Sequence, residues 1–103
     1  MAYKAELTKE FETDLDEVLD HISNKLYDPS AAGKIVDKIL HIIQILEEDP
    51  LSFPLYHDDA LAEQGMRYTL VSNYLLFYKY DETKRTVYLS RFLYGRRNIS
   101  SAF

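Results

Sequence analysis

The chain has 103 residues, no cysteine, and seventeen acidic against twelve basic side chains, for a formal net charge of -5. That length holds one domain, residues 1–103, able to bury about 65% of its unfolded surface without a metal or disulfide staple. Thiolate chemistry and thiolate metal sites are excluded, and 47% apolar residues argue against extended disorder.

The opening Met1-Ala2-Tyr3-Lys4-Ala5-Glu6 has no basic segment leading into an apolar one, so no secretory signal is expected. Tyr3 to Leu7 alternates and reads as a short first strand. From Lys9 the period changes. Phe11, Leu15, Val18, Leu19, Ile22 and Leu26 make one helical stripe, with acids over much of the rest. Many of those acids sit in the first half of the helix, where the macrodipole favours them. Asp28-Pro29 ends this helix and starts the next, with Asp28 or Ser30 as cap and proline in the first turn. Ala32, Ile35, Ile39, Ile42, Ile43 and Leu46 continue helical spacing as far as Pro50. The two helices form an antiparallel hairpin. Gly33 costs about 1 kcal/mol against alanine there and is expected to permit close packing at the turn.

Leu51 to Gln64 reads as an ordered loop with Leu51, Phe53 and Leu55 over one end of the core. Strands follow at Met66–Val71, Tyr74–Tyr80 and Arg85–Leu93, separated by hairpin-length turns, as an antiparallel meander. The order β-α-α-β-β-β is an α+β fold, with the helical hairpin packed on one face of an antiparallel sheet. The other face is expected to be open apart from the C-terminal tail. The longest apolar run, Ile39 to Leu46, is broken by His41 and Gln44, short of a membrane span. A cytoplasmic protein with no membrane contact is the expectation.

Charge is divided along the chain. Residues 1–60 carry five lysines and fourteen acids, or -9, whereas residues 61–103 carry two lysines, five arginines and three acids, or +4. His21, His41 and His57 have no carboxylate or second histidine at a ligand spacing, and Asp58-Asp59 reads as an acidic turn, so no metal site and no cofactor are expected. No phosphate loop, H-E-x-x-H or G-x-S-x-G occurs. Tyr68, Tyr74, Phe77, Tyr78, Tyr80, Tyr88, Phe92 and Tyr94 all lie in the meander, as cross-strand packing or as a stacking platform for bases. Arg67 and Arg91 fall on strands that both neighbour the third, and are expected to approach one another across the sheet. With Arg96 and Arg97 they would present planar donors to phosphate oxygens or to carboxylates.

At this point the chain resembles the RelE/ParE superfamily of type II toxin–antitoxin toxins. The resemblance rests on Asp28-Pro29-Ser30-Ala31-Ala32 opening helix two, on Gly65-Met66-Arg67, on Asn73 to Tyr78, and on Arg91-Phe92-Leu93-Tyr94-Gly95-Arg96-Arg97-Asn98. It covers almost the whole chain. It implies one of two activities. RelE-like members cut mRNA on the ribosome without metal, using the substrate's 2′-hydroxyl, cationic side chains for the phosphorane and an acid–base group. ParE-like members poison DNA gyrase. Both kinds are silenced by a cognate antitoxin, and a homodimer or a toxin–antitoxin hetero-oligomer is the expected assembly. Carried over, Arg67, Arg91 and Tyr94 are the candidate catalytic residues of a RelE-like enzyme. Arg67, Tyr68, Arg91, Tyr94, Arg96 and Arg97 are the candidate contacts to target or antitoxin. Tyr94 stands where many relatives have histidine, and a tyrosine's ordinary pKa of about 10 suits proton transfer near neutrality poorly. An acidic chain also suits rRNA poorly. The expectation is a ParE-like gyrase poison, with a RelE-like ribosome-dependent endoribonuclease, or a non-enzymatic binding module or decayed toxin, as alternatives.

Overall fold

In the computed structural model, which describes residues 2–103, β1 (Lys4–Leu7) lies parallel to β4 (Thr86–Tyr94). β2 (Arg67–Val71), β3 (Tyr74–Asp81) and β4 form the expected antiparallel meander, and the sheet order is β1-β4-β3-β2. The sheet is therefore mixed. A parallel neighbour needs a long crossover, and the helical hairpin between β1 and the meander supplies it.

Thr8 ties the crossover to the sheet. Its hydroxyl accepts from the Phe11 amide at 3.1 Å, capping α1 (Lys9–Asp20), and donates to the Ser90 carbonyl at 3.1 Å. The helix does not run on regularly to Leu26. It widens into a π-turn, His21–Lys25, closed by the Leu26 amide on the His21 carbonyl. Each residue of an α-helix advances about 100°, so one extra residue per turn swings the succeeding side chains off the stripe. Leu26 is accordingly 60% exposed instead of buried, and Tyr27 comes next at φ 53°.

Asp28 supplies the second cap, its carboxylate accepting from the Ala31 amide at 3.1 Å, and α2 (Pro29–Glu48) begins on proline. Ala32, Ile35, Ile39, Ile42 and Leu46 are buried against the sheet, with Phe11 and Ile22 of the first helix. Gly33 does not serve close packing: it is exposed, and a Cβ there would meet nothing within 4 Å. The fourth strand starts at Thr86, because Arg85 sits in the turn at φ 50°.

The far face of the sheet is covered, contrary to expectation. Within the loop after Pro50, Asp58 caps a single turn of helix, α3 (Asp59–Glu63), by accepting from the Leu61 amide. The tail forms another short turn, α4 (Ile99–Ala102). Tyr56, Leu61, Met66 and Ile99 close over Leu75, Phe77 and Leu93 as a second core. Strand β3 feeds both cores by alternation: Leu76 and Tyr78 face the helices, Leu75 and Phe77 the tail.

Candidate functional site

Arg91 is held by the fold. Past Leu7↔Leu89 the edge of β4 has no β1 beside it, and α1 passes there. Arg91 Nε donates to Asp14 Oδ2 at 2.7 Å and Nη2 to Oδ1 at 3.1 Å, while the Phe92 amide donates to Oδ2 at 2.9 Å. Nη1 donates to the Ala102 carbonyl, and the guanidinium lies over the Phe103 ring. The hydrogen bonds it donates to the Asp14 carboxylate push the Arg91 pKa further up, against the opposing effect of burial. One cation thus joins α1, β4 and the tail.

A register shift brings this about. Phe77 pairs with Arg91 but Tyr78 pairs with Leu89, leaving Ser90 as the extra residue of a bulge. Bulges re-aim side chains, and this one places Arg91 and Phe92 at the α1 crossing.

Arg67 and Arg91 do not converge. Arg67 pairs with Tyr78, which faces the helices, and Arg91 with Phe77, which faces the tail. Directly opposed residues share a face, so the two arginines leave opposite faces of the sheet with β3 between them. Arg67 Nη1 donates to the Phe53 carbonyl at 2.6 Å. Tyr78 donates to the Pro50 carbonyl at 2.8 Å, and burial pushes its phenol up to about 12. Both anchor the loop.

The aromatic platform is likewise spent on packing. Phe77, Tyr78 and Phe92 are buried, and Tyr68 is half-buried with its ring edge-on to Tyr56 at 5.1 Å. Tyr94 is the exception at 45% exposure, its ring 5.9 Å from Tyr74. Arg96 and Arg97 are exposed in the turn after it. Gly95 makes that turn possible: its amide donates to the Asn73 carbonyl at 2.8 Å, and a Cβ would lie 3.1 Å from that oxygen.

Arg97 shares an open cavity of ≈ 510 Å³ with Lys9, Glu10, Asp14 and Glu17. Arg91 and Arg97, near the basic end of the chain, therefore lie beside its own acidic helix. Across the sheet edge, Lys79, Tyr88 and Ser90 line a second cavity of ≈ 560 Å³ with Glu10 on its rim. Ser100 Oγ donates to Asp58 at 2.8 Å, and that bond chiefly holds the Asp58 carboxyl below its usual range. Among the described residues, no group of acids and histidines can hold a metal ion, and no helix is long and apolar enough to cross a membrane.

The family model for the ParE toxin of the type II toxin–antitoxin system parDE matches residues 5–99. The chain belongs to the ParE toxin family. A type II toxin of ParE type is thus the reading that the RelE/ParE resemblance anticipated. The solved structure titled "Chromosomal ParDE TA system from P. aeruginosa" is similar in fold, with a TM-score of 0.69 at 16% identity over 90% of this chain and 96% of that one. No curated protein matches in sequence. In this ParE-family chain Asp14 is the residue that sequence reasoning passed over, as one acid among many. Its signal was its place on the apolar stripe, three residues after Phe11 and four before Val18.

Proposed function

We propose that this chain arrests growth by acting on DNA gyrase, not by cutting mRNA, and that a cognate antitoxin silences it. The observation that carries this is the commitment of the two arginines. Phosphorane stabilisation needs cations converging on one phosphate. Arg91 is bound by Asp14 and the tail, and Arg67 leaves the opposite face towards Phe53. The exposed Tyr94, Arg96 and Arg97 are then the contacts offered to target or antitoxin, whereas Arg67, Tyr68 and Arg91 hold the fold.

The test uses the purified full chain in two assays. It should trap gyrase–DNA cleavage complexes and leave mRNA on ribosomes intact. Ribosome-dependent cleavage that disappears in Arg91→Ala, with no gyrase trapping, overturns the proposal. Normal growth of cells expressing the chain alone would favour a decayed toxin.

A further inference from the structure

Strand β1 forms one edge of the sheet, and the phase of its ladder shows which of its backbone groups are spare. The Lys4 amide donates to the Arg85 carbonyl and the Thr8 amide to the Leu89 carbonyl, both at 3.0 Å. Successive residues of a strand turn their backbone groups to opposite sides, so the N–H and C=O of Ala5 and Leu7 point away from β4. No turn or loop among the described residues takes them up. The other edge differs: the Tyr56 amide donates to the Met66 carbonyl, and the Tyr68 amide to the Pro54 carbonyl, so a loop covers the start of β2. Unpaired edge groups are a template for another strand.

The side chains select the occupant. Tyr3 and Ala5 pack on the first core, and Leu7 shares their side of the sheet but is 40% exposed. Lys4 and Glu6 stand on the other side, both exposed, with Nζ and Oε1 3.4 Å apart. We infer that β1 pairs antiparallel with β1 of a second copy of this chain, about a two-fold axis at Ala5. In that register the Ala5 amide donates to the carbonyl of the partner's Ala5, and the reverse. Lys4 stands opposite the partner's Glu6, and Glu6 opposite the partner's Lys4. Leu7 is covered by the partner's Tyr3. An isologous contact repeats each of these pairs. The neighbouring registers in the same hydrogen-bond phase set Lys4 against Lys4 or Glu6 against Glu6, and like charges directly opposed are destabilising. Charges on a short edge strand deter pairing in general; here they admit a single register. The two sheets become one continuous sheet. The contact is small, so dissociation on the order of 100 μM is expected. None of this depends on the growth-arrest reading.

The test is sedimentation of the full chain across a concentration series, with amide exchange read on the same samples. Wild type should dimerise, and the Ala5 amide should become protected as concentration rises. Lys4→Glu puts acids at both positions and Glu6→Lys puts lysines at both. Each variant alone should self-associate about tenfold more weakly, and an equimolar mixture should recover the dimer. Both sites are exposed, so these variants are expected to fold, which circular dichroism checks. Ala5→Pro removes an outward N–H that no ladder bond uses, and should also give a monomer. If proline unfolds the strand, the charge variants decide. A wild-type chain still monomeric at about 1 mM overturns the inference. So does a dimer in which Ala5 exchanges as fast as in the monomer, or a mixture of charge variants that associates no better than either alone.

Discussion

Replacing Asp14 by alanine tests the claim that Arg91 is a structural hub. The change removes a carboxylate that accepts from Arg91 Nε, Arg91 Nη2 and the Phe92 amide. The side chains of Arg91 and Asp14 are only 20% and 11% exposed, so water repairs the loss poorly. Breaking a buried pair from one side costs about 3–5 kcal/mol. Allowing for the residual exposure, about 2–3 kcal/mol is expected here. For a domain of this size that lowers Tm by about 10–20 °C. Calorimetry on wild type, Asp14→Ala, Arg91→Met and the double variant gives the coupling directly. The double variant should be more stable than the additive sum by about 1.5 kcal/mol or more, because no unpaired charge remains. An Asp14→Ala variant melting within about 2 °C of wild type, or an additive cycle, would refute the reasoning.

Gly33→Ala should stabilise the chain by about 1 kcal/mol, since the site is helical and a Cβ meets nothing; an unchanged urea midpoint would count against this. Tyr78 titrates near 12 when folded against 10.0 ordinarily. Stability from this phenol is thus level below pH 10 and falls by about 2 kcal/mol as pH rises to 12. Urea midpoints between pH 8 and 12 should therefore fall less steeply for Tyr78→Phe than for wild type, and equal slopes would show the assignment to be wrong. Tyr94→His should not confer ribosome-dependent mRNA cleavage, because the arginines remain committed elsewhere; cleavage by that variant would mean they are free to move.

Periodicity made α2 and the meander legible, because each side of those elements has one consistent environment. Leu26 was misplaced because its spacing is correct for an α-helix, and nothing local in the sequence announces the π-turn. The covered far face escaped notice for a related reason. Ile99 lies in a short helical turn and Tyr56 in irregular loop, which leave no period to read, and both bury themselves only through residues distant in the chain. The arginines show the same limit more sharply. Their presence in one basic half was plain, but register decides which face each takes. A single bulge at Ser90 also changes what Arg91 can reach. Asp14 was readable in principle, since an acid on an apolar stripe calls for a partner.

The parallel pairing of β1 with β4 also bears on synthesis. Thr8 bonds to Ser90 and Arg85 to the Ala2 carbonyl, separations of 82 and 83 residues. A nascent chain can form its helical hairpin early, but its first strand has no neighbour until residues 86–94 have emerged. Closing so long a loop comes late and slows folding. The sheet is completed by the first and last strands made, so a growing chain cannot present the finished surface while most of it is still being translated.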